Sequence, residues 1–250
     1  MNGTTWMVYI ILFVVAFLPS VAYIVWIRNT ERYEREPWGT IFKTFIWGAI
    51  FGVILGVLFS LILIVLFDFA APERVYNAIA EDEGYYSLFL ACIIAPIAEE
   101  AAKGIGVFTA GSELDEVEDG LIYGASVGLG FAATENLLYG YIALQESVAL
   151  FIATAIVRSI SSALLHASAT SATGYGIAKK KILGKGHFIL PYLLLAVVMH
   201  GLFNLFASMG TLFGLLLAIM FAIVAIEFTR HKIHQWDATS ILQDRWRGHM

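Results

Sequence analysis

Cysteine is nearly absent from this chain. Cys92 is the only one in 250 residues, which excludes an intramolecular disulfide and any cysteine metal cluster. Charge is scarce too, at 14% of residues, and the net charge of −5 removes the electrostatic basis for binding nucleic acid. The helical zinc signature His-Glu-x-x-His does not occur. The first residues lack both a basic leader and a small-residue cleavage site, so the first apolar run reads as a retained helix, not a signal peptide.

What the chain has is hydrophobic sequence, 59% of it, with a mean hydropathy of +0.78. That composition predicts an all-α, polytopic membrane protein. The connections are too short for a second folded unit, so residues 1–250 are expected to form one integral-membrane domain. Seven apolar runs, roughly 5–27, 41–68, 86–109, 120–143, 148–178, 188–208 and 211–229, match the ~20 residues a spanning helix needs. The second and fifth are longer than required, which implies tilt, a kink or an extension. Only Ser208-Met209-Gly210-Thr211 separates the last two, which predicts a tight hairpin.

With seven crossings, the basic residues sort to one side. Arg28, Arg32, Arg35 and Lys43 flank the first connection. Lys179, Lys180, Lys181 and Lys185 lie in the fifth, and Arg230, Lys232, Arg245 and Arg247 in the tail. The other side keeps Arg74 among Asp68, Glu73, Glu81, Asp82 and Glu83. The positive-inside rule then puts the N-terminus outside and the C-terminus in the cytoplasm.

Against this background, the polar residues inside the runs stand out. Glu99, Glu100 and Lys103 fall within five positions of the third run, and an ionised group near the bilayer centre costs roughly 2.5–3.5 kcal/mol. They must be paired, protonated or hydrated. Lys103 is four residues from Glu99 and three from Glu100, within reach of either. Glu135-Asn136 lies deep in the fourth run, His166 in a small, polar stretch of the fifth, and His200 and Asn204 on one face of the sixth. Arg158 is placed to neutralise one of the acids. Imidazoles and carboxylates converging from several helices suit a catalytic divalent-metal site, a metal-free acid–base site or a proton pathway. Asp115-Glu116-Val117-Glu118-Asp119 reads as a helix cap. Gly48, Gly52 and Gly56, and Gly120, Gly124 and Gly128, each form a smooth stripe for close helix packing or for admitting a substrate segment. Cys92 reads as a small buried hydrophobe.

Several of these pieces together resemble a known family. Glu31-Arg32-Tyr33-Glu34-Arg35-Glu36-Pro37, Glu99-Glu100-x-x-Lys103, Asp119-Gly120-Leu121-Ile122-Tyr123-Gly124, Phe131-Ala132-Ala133-Thr134-Glu135-Asn136, His166-Ala167 and His200-Gly201-Leu202-Phe203-Asn204 are similar to the PrsW family of intramembrane proteases. That family is in turn similar to the CAAX prenyl endopeptidases, in which the motif matching Phe131-x-x-x-Glu135 ends in His. The resemblance implies cleavage of a membrane-protein or membrane-anchored peptide substrate within or near the bilayer, as in processing of anti-sigma factors by bacterial members.

The expected enzyme is therefore an intramembrane endopeptidase. Glu99, with Glu100 close behind, would activate water. Glu135, His166 and His200 would either hold a divalent metal such as zinc or polarise the scissile carbonyl. Asn204 would donate to the oxyanion, and Lys103 would tune the Glu pair. The rival readings are a proton-coupled transporter or channel using the same groups, and a non-catalytic membrane scaffold.

Overall fold

All seven apolar runs are helical, because a backbone in lipid must satisfy its own hydrogen bonds and a helix does so locally. The computed structural model describes residues 3–184, 186 and 188–247, and the side chains of 6–184, 186 and 188–239. Lys185 and the side chains of Arg245 and Arg247 lie outside the described residues. No strand occurs among those described.

The chain runs through α1 (Gly3–Arg28), α2 (Trp38–Trp47), α3 (Val53–Ala70), α4 (Glu73–Ala80), α5 (Glu83–Phe89), α6 (Ala95–Val107), α7 (Val117–Glu146), α8 (Val148–Ile160), α9 (Ser162–Leu183), α10 (Leu190–Ser208) and α11 (Leu212–Arg247). Five continuous stretches are long and apolar enough to cross a membrane: Trp6–Arg28, Trp38–Ala70, Val148–Leu183, Leu190–Ser208 and Leu212–Thr239.

The two over-long runs are both irregular. A π-helical segment, Gly48–Gly52, joins α2 to α3. The fifth run breaks at Ser161 (φ −123°, ψ −71°), where Ser159 and Ser161 donate their hydroxyls back to the carbonyls of Ala155 and Val157. Such back-bonding bends helices. A second π segment, Leu90–Ile94, runs into α6 just ahead of the two glutamates. π segments loosen the carbonyl ladder and recur at functional sites. The hairpin between α10 and α11 turns on Gly210, at φ +62°.

At the centre stands α7, buried without interruption from Val117 to Ala133 and packed against α1, α2, α8 and α9. Its sequence is less apolar than that of the lipid-facing helices because its surroundings are protein. Its glycines pack against a helix and do not form an open groove. A Cβ on Gly120, Gly124 or Gly128 would run into the α9 backbone at Gly174, Thr170 or His166. The start of α7 is capped as expected, with Asp119 Oδ2 accepting the N–H groups of Asp115 (2.8 Å) and Glu116 (2.5 Å). Cys92 is only half-buried, since it sits on the rim of its π segment.

Candidate active site

The third run presents both glutamates to the interior. Lys103, fully buried one turn on, donates through Nζ to Glu100 Oε1 at 2.6 Å and lies 3.7 Å from Glu99 Oε2. The ammonium also sits 4.5 Å from the centroid of the Phe131 ring. α9 adds His166, whose Nδ1 is 2.8 Å from Lys103 Nζ. An ammonium can only donate, so His166 Nδ1 accepts and its proton belongs on Nε2, directed at Glu135 Oε2 at 2.9 Å.

α10 adds His200. Its Nδ1 lies 2.9 Å from Glu100 Oε1, which leaves the Nε2 lone pair turned toward Glu99 Oε2 at 3.8 Å. Both oxygens of Glu100 are therefore occupied. Its Oε1 takes Lys103 and His200, and its Oε2 accepts from Thr170 Oγ1 at 3.2 Å. Glu99 is different. Its side chain is 16% exposed, and its buried Oε2 has no hydrogen-bond partner. The two imidazole rings meet edge to face at 4.8 Å.

Glu135 is turned to the edge of this cluster. Arg158 Nη2 pairs with its Oε2 at 2.6 Å, and Arg158 Nε donates to Asn136 Oδ1 at 2.8 Å. The guanidinium also lies 3.9 Å from the centroid of the Tyr139 ring. This is the counter-charge role expected of Arg158. The metal-ligand atoms that come within 4.8 Å of one another belong to Glu99, His166 and His200. Glu135 is not in that set, and Arg158 and His166 share its Oε2.

Asn204 holds a main-chain carbonyl. Its amide donates to Ala91 O at 2.7 Å, a carbonyl of the second π segment. A Cβ on Gly201 would meet Cys92 O at 2.5 Å, so that glycine permits the approach. The His200-Gly201-Leu202-Phe203-Asn204 motif thus supplies an imidazole, a close-packing point and a tether on one helix. Thr134 plays the matching part on α7, donating to Ala49 O of the first π segment at 2.7 Å. Sequence reasoning left Thr170 and Phe131 without roles. Thr170 lies four residues after His166 on the same face, which was the available signal.

A buried carboxylate–lysine–imidazole centre inside a bundle of apolar helices marks a polytopic membrane protein built around a polar site. Residues 36–227 match the PrsW family of intramembrane metalloproteases, and the chain belongs to that family. It is an intramembrane protease and a multi-pass membrane protein. Similar proteins include the Protease PrsW of Clostridioides difficile strain 630, 28% identical over 233 residues covering 90% of this chain and 91% of that protein. The Geobacillus kaustophilus Protease PrsW is 28% identical over 191 residues, 74% of this chain and 75% of its own. That of Bacillus subtilis strain 168 is 29% identical over 125 residues, 48% of this chain and 50% of its own. No solved structure matches the chain significantly.

Proposed function

We propose that Glu99 is the general base that activates water for peptide hydrolysis, in a single seven-span domain with its N-terminus outside and its C-terminus in the cytoplasm. The observation that carries this reading is the partnerless Glu99 Oε2, 3.8 Å from His200 Nε2. That separation exceeds a direct hydrogen bond and suits a bridging water. Glu99 and Glu135 also hold the partly exposed edge of the site, while Glu100, Lys103, His166 and His200 are buried. A peptide therefore has an approach on that side. Proteolysis there requires an extended, unwound substrate segment of a membrane-anchored protein, since a helical backbone hides its carbonyls.

The residues present also fit a divalent metal. Two imidazoles and a carboxylate form a His2Glu donor set, His200 Nε2 has its lone pair available, and Glu99 Oε2 is an orphaned buried acceptor. His166 would join when Lys103 turns its ammonium fully onto the Glu pair. When bound, such an ion supplies Lewis-acid polarisation and lowers the pKa of its water. In this reading Glu99 takes the ligand place first expected of Glu135, and Glu135 orients His166.

The chain's own residues do the rest. Where no metal takes its free oxygen, Glu99 accepts the proton of the attacking water and passes it to the leaving amine. Glu100 fixes the tautomer and direction of His200, as outer carboxylates do for metal-binding imidazoles. Lys103 neutralises Glu100 so that the buried charges balance, and Arg158 does the same for Glu135.

The topology has independent support. Arg32 and Tyr33 donate backbone N–H groups to Asp237, and Lys181 Nζ donates to Gly111 O (2.7 Å) and Leu114 O (2.6 Å). The first connection, the end of α6, the end of α9 and the end of α11 therefore share one face, as alternating crossings require. The third and fourth runs are less apolar, and they hold the site and the buried core.

The test is cleavage of a membrane-anchored reporter by Glu99→Gln, Glu100→Gln and His200→Ala, each checked for insertion. Each should lose at least about a hundredfold in rate, the lower bound for a lost general base. Cleavage retained in all three would end the proposal. Elemental analysis of purified protein should find a transition metal that His200→Ala loses.

A further inference from the structure

At the cytoplasmic end of the bundle, away from the active site, five carboxylates are buried together. Glu31 is fully buried, and Glu36, Glu118, Asp119 and Asp237 are each at most 5% exposed. Ligand atoms of Glu31, Glu118 and Asp237 lie within 4.8 Å of one another, and Glu31, Glu36 and Asp119 form a second such set. The nearby arginines do not neutralise Glu31, Glu36, Asp119 or Asp237. Arg28 and Arg35 spend their Nε donors on the main-chain carbonyls of Glu36 and Glu31, and Arg32 offers Asp237 its backbone N–H. Glu31, Glu36, Asp119 and Asp237 make no ion pair among the described residues.

Protons account for part of this cluster. Tyr123 donates its hydroxyl to Glu36 Oε2, and Glu36 and Asp119 share a side-chain hydrogen bond. Glu31 keeps an open position. Glu31 Oε2 accepts the Glu36 N–H at 3.0 Å, but Glu31 Oε1 is buried with no hydrogen-bond partner. A buried carboxyl with an empty acceptor is either held in its neutral form or completed by a cation.

We propose that Glu31, Glu118 and Asp237 form a second cation site, distinct from the active site, that takes a hard divalent ion of the magnesium or calcium class. An all-oxygen, all-carboxylate donor set selects such ions over zinc. The three ligands come from different segments: the first connection, the start of α7 and the cytoplasmic part of α11. Asp237 already accepts the Arg32 and Tyr33 N–H groups at 3.1 and 3.3 Å, which holds the first connection against α11. A bound ion closes the same clasp from inside and locks the cytoplasmic ends of three helices.

The experiment is Mn2+ binding to the full-length protein in detergent, read by electron paramagnetic resonance, with Mg2+ and Ca2+ as competitors. In the His200→Ala variant, which weakens the active-site donor set, one Mn2+ per chain should still bind and be displaced by Mg2+ or Ca2+. Glu31→Gln and Asp237→Asn should each weaken that binding at least about tenfold, the lower end of what even outer-shell changes do to metal affinity. Millimolar Mg2+ or Ca2+ should also raise the thermal midpoint of the wild type, and that of Glu31→Gln far less. Absence of saturable Mn2+ binding in wild type and His200→Ala would overturn the proposal. So would binding that survives both carboxylate changes, or an unmoved wild-type midpoint.

Discussion

Lys103 offers the sharpest test of how the active site is held together. It is fully buried, 2.6 Å from a carboxylate that is equally buried. At an effective dielectric of about 20, that contact is worth about 6 kcal/mol of Coulomb attraction. Several kcal/mol per ion of lost hydration oppose it, so the net value of the pair is small. Breaking it is another matter. Lys103→Met leaves Glu100 ionised with only His200 and Thr170 to satisfy it, and should destabilise the protein by about 3–5 kcal/mol. Glu100→Gln strands the ammonium and should cost a similar amount. The double variant removes both charges and should cost well under the sum, because neither orphan remains. The assay is unfolding in mixed micelles, with the coupling read from the double-mutant cycle. If the double variant equals the sum of the singles within about 0.5 kcal/mol, the two groups do not act as a pair and the reasoning fails. Cleavage should be lost in all three variants, since His166 and His200 lose their shared partners.

Other expectations concern the scaffold. Gly128→Val would push a side chain into the main chain at His166, so it should destabilise by about 1–3 kcal/mol and lower the cleavage rate, checked by thermal unfolding beside activity. Asn204→Leu releases the Ala91 carbonyl and should cost about 0.6–1.7 kcal/mol, the range for interhelical hydrogen bonds in membranes. Retention of full activity would confirm that Asn204 acts as a tether, whereas a loss as large as that of Glu99→Gln would restore it to the chemistry. Burial holds the Glu31 carboxyl well above its ordinary 4.5, at about 8, and burial with Asp119 nearby pushes Glu36 to about 11. An acid raised in the folded state stabilises in its protonated form. Glu31's contribution should therefore be complete below pH 4.5 and lost as pH rises through about 8. Thermal midpoints in divalent-free buffer should fall over that window in wild type and stay flatter in Glu31→Gln.

The sequence by itself determined that the chain is helical and membrane-embedded, since seven apolar runs admit no other way of satisfying their backbones. It also marked Glu99, Glu100, Lys103, Glu135, His166 and His200, because a polar group in a hydrophobic run needs a reason to be there. It could not assign their roles. Those depend on which oxygen faces which nitrogen across α6, α7, α9 and α10, and spacing along one helix carries no such information. Only the tertiary structure separated Glu99, whose Oε2 accepts no hydrogen bond, from Glu100, both of whose oxygens do, and paired Glu135 with Arg158. The same holds for Asn204, whose helix position puts it beside His200 but whose amide is claimed by a carbonyl more than a hundred residues away in the chain. In the sequence Glu118 reads as part of a helix cap, Glu31 as part of the family signature, and Asp237 draws no reading. Folding alone brings them together, because burial and proximity are properties of the packed bundle.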